Sequence, residues 1–216
     1  MRIRRKKWAR PELELCKYHI TNPKEYRGKW SNYFENDKPI HLELGCGRGT
    51  FVSKIAHQNR NINYIGIDIK TDMLGYAKRN IDKEYGEEKP NNVCIFSYNI
   101  EQILDVFDKS DNIKRIYINF CNPWPRPKHK KRRLTHTRQL NKYKEIGNEN
   151  LEIYFKTDDD NLFEESLKYF EEEGFEVKEK TYDLHKNDII GGNIITEHEE
   201  MFTNQGIKIK ALIATL

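Results

Sequence analysis

Pro39-Ile40-His41-Leu42-Glu43-Leu44-Gly45-Cys46-Gly47-Arg48-Gly49-Thr50 is a short apolar run, then three glycines at alternate positions, then the start of a helical pattern over Phe51, Val52, Ile55 and Ala56. It reads as strand, turn and helix, with Thr50 as the helix cap. Glycine admits positive φ and lets a ligand approach the backbone without meeting a Cβ, so the turn is a candidate binding loop. A dinucleotide fingerprint would place its third glycine three residues after the second, and this spacing departs from that. Glu43 would repel a pyrophosphate and attract the ammonium of an amino-acid-like ligand.

Working outward, strand-like runs recur at residues 63–69, 93–98, 113–120 and 151–156. Between them lie helical stripes, such as Leu74, Ala77, Ile81 and Tyr85. This alternation predicts an α/β fold with a mostly parallel sheet, helices on both faces and right-handed crossovers. Two final strands, near residues 175–182 and 207–216, lack a clear full helix between them and imply an antiparallel edge. Asp68 ends the second strand about twenty residues past the glycines, where a carboxylate can accept both hydroxyls of a ribose. Asn99 follows the third strand, and its amide suits an adenine edge. With Glu43, Gly45, Gly47 and Gly49 these residues describe a pocket for a nucleoside with an amino-acid tail, which fits S-adenosylmethionine better than a dinucleotide.

The fourth strand runs into Asn122-Pro123-Trp124-Pro125 and then Arg126-Pro127-Lys128-His129-Lys130-Lys131-Arg132-Arg133, where six of eight residues are Lys or Arg. The prolines should hold Asn122, Trp124 and Arg126 extended. A ring beside clustered cations at a strand end points to nucleic acid, with Trp124 either stacking a base or plugging the sheet edge. Net charge is only +4, so the signal lies in clustering and not in bulk basicity. Arg2, Arg4, Arg5, Lys6, Lys7 and Arg10 form a second basic group that suits a phosphate backbone or a solvated tail.

A chain of 216 residues accommodates one substantial core, so the expectation is a single domain over 1–216, with a basic arm and lead-in at 1–38 and an α/β core at 39–216. The four cysteines are dispersed, with no C-x-x-C pair and no histidines at ligand spacing, so neither a metal site nor a disulfide is expected. No apolar run reaches membrane-spanning length and none follows the basic N-terminus, which implies a cytoplasmic protein with reduced thiols.

Taken together, these motifs resemble the tRNA (guanine-N7-)-methyltransferases, a family of S-adenosylmethionine-dependent enzymes with the Rossmann-like class I methyltransferase fold of seven strands. The resemblance covers nearly the whole chain. It begins with Asn22-Pro23 and Tyr26-Arg27-Gly28-Lys29-Trp30 and includes the glycine turn and the Pro-Trp-Pro loop with Lys131-Arg132-Arg133-Leu134. It continues through Phe155-Lys156-Thr157-Asp158 to Thr196-Glu197-His198-Glu199. The resemblance implies that Glu43, Asp68, Asn99 and Asn122 line the cofactor site. It implies that Arg126, Asp158, Thr196, Glu197, His198 and Glu199 contact substrate. Lys128, His129, Lys130, Lys131, Arg132 and Arg133 would meet RNA, and the substrate would be a variable-loop guanosine of tRNA. Monomer and homodimer both remain open.

The family usually carries aspartate where this chain has Asn99 and Asn122, and tyrosine where it has His198. The counterpart of Asn122 is regarded as catalytic. Guanine N7 already presents an in-plane lone pair, so methyl transfer needs no general base and an asparagine is compatible with activity. Asp158 suits the guanine N–H groups, or caps the following helix. Glu197 and Glu199, read as extended, would face one side. Three other readings stand beside this one: a non-catalytic RNA-binding protein with a degenerate site, an adenine-directed nucleic-acid methyltransferase, and a nucleotide-dependent oxidoreductase, which the glycine spacing disfavours.

Overall fold

The computed structural model describes residues 6–216. Arg2, Arg4 and Arg5 lie outside the described residues. The run at Pro39 forms β1 (Ile40–Leu44), buried along its whole length, as a strand with covered faces must be. On one side β1 pairs in parallel with β2 (Asn63–Asp68), which pairs in parallel with β3 (Val93–Ser97). On the other it pairs in parallel with β4 (Ile113–Asn119), followed by β5 (Gly147–Thr157). Next to β5 comes β7 (Lys210–Thr215), antiparallel to β5 and to the outermost strand, β6 (Glu176–Thr181). The seven strands are therefore ordered β3-β2-β1-β4-β5-β7-β6, and the antiparallel member is inserted one place in from the edge. Chain direction across the sheet reverses between β1 and β4. In open α/β sheets that switch point leaves a crevice beyond the carboxyl ends of the strands.

The crossovers are α3 (Thr50–Gln58), α4 (Thr71–Tyr85), α5 (Thr137–Ile146) and α6 (Asp160–Glu172). Thr50 is the first helical residue and not the cap; Gly49 takes the cap position with φ +70°. Before β1, α1 (Ala9–Glu14) packs on α4, and α2 (Trp30–Phe34) carries the fully buried Trp30. Its ring stacks on Phe96 with centroids 5.6 Å apart, and its Nε1 donates to Val106 O at 3.0 Å. The Asp111 carboxylate accepts the backbone N–H groups of Gly28, Trp30 and Asp108. These bonds stitch the lead-in to the turn before β4. Replacing so enclosed a ring with alanine costs about 3–5 kcal/mol.

Two further expectations fail locally. The segment after Thr196 is not extended but forms α7 (Glu197–Thr203), started by the Thr196 hydroxyl accepting the Glu199 N–H. Trp124 is not extended either, having φ +41°, and residues Pro127–Arg132 wind into a 3-10 turn. Among the described residues no helix is long and apolar enough to cross a membrane, and no group of three or more His, Cys, Asp or Glu is placed to hold a metal ion.

Candidate active site

At the switch point a cavity of about 360 Å³ opens over the end of β1. Glu43, Gly45, Cys46, Gly47 and Arg48 form one wall, and Thr50, Phe51 and Met73 continue it. Asn119 and Phe120, at the end of β4, face Thr196, Glu197, His198 and Met201 from the region of α7. Phe120 adopts φ +53°, a left-handed conformation that costs an aromatic residue energy, and its ring lies nearly parallel to that of His198.

Glu43 is buried on the floor. Its Oε1 accepts from Asn119 Nδ2 and its Oε2 from Val52 N–H, both at 3.1 Å. Burial pushes its carboxyl up to about 7, against the opposing pull of those two donors and of the Lys156 ammonium. The glycines divide their work. A Cβ on Gly45 or Gly47 would meet nothing nearer than 3.9 Å, whereas one on Gly49 would come within 2.6 Å of Ala77 Cβ. Gly49 is therefore required for packing: it lets α3 and α4 approach.

Asp68 does not line the cavity directly but is tied to it. Its Oδ2 accepts from Gly47 N–H at 3.0 Å and its Oδ1 from Lys70 N–H at 2.8 Å, while burial raises its pKa. Asn99 stands apart from the cavity walls, where its Oδ1 accepts from Glu101 N–H and caps a 3-10 turn. Asn122 is exposed, three residues past Asn119, and its Oδ1 accepts from Trp124 N–H at 3.0 Å. Asp158 directly follows β5 and burial raises its pKa, but the cap of α6 is its neighbour Asp159.

In the basic loop, Lys128, Lys131 and Arg132 are exposed, as is Arg126, and His129 is half-buried. Arg133 contradicts its expected role, because its side chain is 0% exposed. Its Nε donates to Pro123 O at 2.6 Å, Nη2 donates to Asn161 Oδ1, and Nη1 pairs with Glu165, pinning the Pro-Trp-Pro turn to α6. Lys130 shares the Glu165 carboxylate. Arg132 lies 5.2 Å over the Trp124 ring.

The expectation that Glu197 and Glu199 face one side is also overturned, since on a helix they diverge. Glu197 is exposed at the cavity, 3.5 Å from Arg48. Glu199 is 0% exposed and pairs with Lys156 at 2.7 Å. Asn119, Phe120, Phe51, Met73 and Lys156 were not singled out as site residues. The strand ends hinted at Asn119 and Phe120, and Phe51 and Lys156 adjoin residues that were singled out, whereas Met73 reaches the cavity from α4.

A family model described as a putative methyltransferase matches residues 37–212. A tRNA (guanine-N(7)-)-methyltransferase of Clostridium beijerinckii is 60% identical over 216 residues, spanning 99% of this chain and 98% of that protein. One of Clostridium perfringens is 57% identical over 217 residues, spanning 99% of each. Among solved structures, an antibiotic-related methyltransferase superposes with a TM-score of 0.62 at 16% identity, covering 91% of this chain and 95% of its own, a likeness of fold. With a glycine-lined cavity at the switch point and relatives alike from end to end, the chain belongs to the tRNA (guanine-N7-)-methyltransferase family.

Proposed function

We propose that this chain methylates guanine N7 in tRNA with S-adenosylmethionine as donor, and that the target is a guanosine of the variable loop. The observation that carries the reading is the glycine turn opening beside the buried Glu43 in one cavity, in a chain of this family. The residues fit the cofactor. The space above Gly45 and Gly47 admits a ligand against the backbone, and the enclosed Glu43 carboxyl is an acceptor for a cationic group. Glu43, Gly45 and Gly47 would hold the amino-acid portion, and by the family resemblance Asp68, tied to Gly47 N–H, would meet the ribose and Asn99, beyond the cavity walls, the adenine. When bound, S-adenosylmethionine supplies an electrophilic methyl on a sulfonium.

Because N7 needs no deprotonation, the protein's main task is alignment. Holding two reactants in line contributes roughly 7 to 11 kcal/mol, against about 1.5 to 3 for one charged hydrogen bond. Asp158, Glu197 and His198 orient the base, with Arg126 at the loop, and Lys128, His129, Lys131 and Arg132 bind phosphates. Asn122 shapes the turn that carries them, since its carbonyl oxygen holds Trp124 N–H. Asn122→Asp keeps that acceptor and should retain activity, whereas Asn122→Ala should lower kcat/KM roughly tenfold, the effect of one hydrogen bond. Equal rates for Asn122→Ala and the wild type would remove the residue from the mechanism. The reading places the enzyme in the cytoplasm with tRNA as partner. Its test is methylation of unmodified tRNA, then reduction and aniline cleavage at the N7-methylated purine. Scission in the variable loop is expected, and scission elsewhere overturns that target.

A further inference from the structure

Lys156, near the end of β5, is a buried cation that lies behind the cavity wall. Its side chain is 2% exposed and its ammonium lies 5.8 Å from the centre of the Phe51 ring and 5.9 Å from that of Phe120, both walls of the cavity. Nζ donates to Asn193 Oδ1 at 2.8 Å, to Ile194 O at 3.2 Å and to Glu199 Oε2 at 2.7 Å. All three acceptors belong to one short stretch, residues 193–199. The other Glu199 oxygen accepts from Asn193 Nδ2 and lies 3.4 Å from His185 Nε2. That stretch leads into α7, and Thr196, Glu197, His198 and Met201 form the wall opposite the glycine turn.

With seven residues, α7 is too short to be helical unaided. A buried ammonium and a buried carboxylate are tolerated only when paired and hydrogen-bonded, so both stay desolvated only while residues 193–203 are docked. Glu199, with no exposed surface and both oxygens engaged, has no face left for an RNA base. We propose that Lys156 and Glu199 are positioning residues that dock residues 193–203 as the cavity wall, and that Glu199 acts through Lys156 without touching the tRNA. The inference rests on the reading of the cavity as the cofactor site.

The test compares the full chain with Lys156→Met, Glu199→Met and the double variant, which leaves no buried charge at this place. Two readouts need no turnover: amide hydrogen exchange of residues 197–203 in the ligand-free protein, and the dissociation constant for S-adenosylhomocysteine by calorimetry. Each single variant strands one buried charge, so exchange should quicken and affinity should weaken at least about tenfold. The double variant should recover exchange, affinity and kcat/KM for tRNA to within about fivefold of wild type, because an apolar pair of similar volume can replace a buried ion pair. Single variants that exchange and bind like the wild type overturn the proposal. So does a double variant that recovers exchange and affinity yet stays about a hundredfold down in kcat/KM for tRNA, which would mean that Glu199 contacts substrate. If the single variants do not fold, the double variant decides by the same measurements. A wild-type protein that fails to bind S-adenosylhomocysteine would sink the cofactor reading, while the exchange comparison still decides the docking.

Discussion

Glu43 sits beneath Val52 N–H and the Asn119 amide, and burial pushes its carboxyl from the usual 4.5 up to about 7. A raised carboxyl contributes stability that is fully present below its unfolded pKa and is lost as pH rises through the folded one. Stability from this group therefore falls between about pH 4.5 and 7, by about 3 kcal/mol in total. Glu43→Gln titrates nowhere in that window, so its stability relative to wild type should climb by up to that amount from pH 5 to pH 8, measured by denaturant unfolding. Ligand affinity should move the other way. Wild-type binding of S-adenosylhomocysteine should weaken as pH falls below 7, whereas the variant should bind weakly and without that dependence. A flat stability difference would mean that the carboxyl is ionised throughout. Glu43 was legible in the sequence because a strand end and a glycine turn flank it. The enclosed roles of Lys156 and Arg133 were not, since the motifs that hold them do not show that their partners, Glu199 and Glu165, come from distant segments.

At the scale of the element, the glycine turn separates binding from packing. Gly49→Ala puts a Cβ 2.6 Å from Ala77 Cβ at φ +70°, an overpacking that should cost about 1–3 kcal/mol and lower Tm. Gly47→Ala, with open space above it, should cost only about 1 kcal/mol of backbone strain while weakening cofactor binding. Thermal melts and calorimetry separate the two, and a Gly49 variant with wild-type Tm and weakened binding would reverse the assignment. The strands and crossover helices were legible from periodicity. Helix α7 was misread although Thr196 followed three residues later by Glu199 is an N-terminal helix signal, and Thr196 does cap the helix. Short helices with few apolar positions leave little periodicity to read.

For the whole molecule, the sheet gathers the glycine turn, the basic loop and α7 at one rim although they are far apart in sequence. Net charge is only +4, so the proposed tRNA affinity should come from clustered cations, with the exposed ones of that rim in the lead. Each phosphate contact adds roughly 0.7 to 0.9 to the slope of log affinity against log salt, so replacing Lys128, Lys131 and Arg132 with glutamine should reduce the slope by about 2 to 3. Arg133→Gln should lower Tm instead, because its guanidinium is enclosed. An unchanged slope in the triple variant would place RNA elsewhere. The mostly parallel sheet followed from the alternation of strands and helices, but the last two strands read as an antiparallel edge, whereas only β7 is antiparallel and it lies one place in from the edge. The anchoring of the lead-in by Trp30 and Asp111 did not follow, because it depends on contacts with Phe96, Val106 and the turn before β4.

The most direct test of the account is nucleoside analysis of unmodified tRNA after incubation with the protein and methyl-labelled S-adenosylmethionine. Label in 7-methylguanosine is the predicted result. Label in a methylated adenosine, or RNA that binds but stays unlabelled, would contradict it.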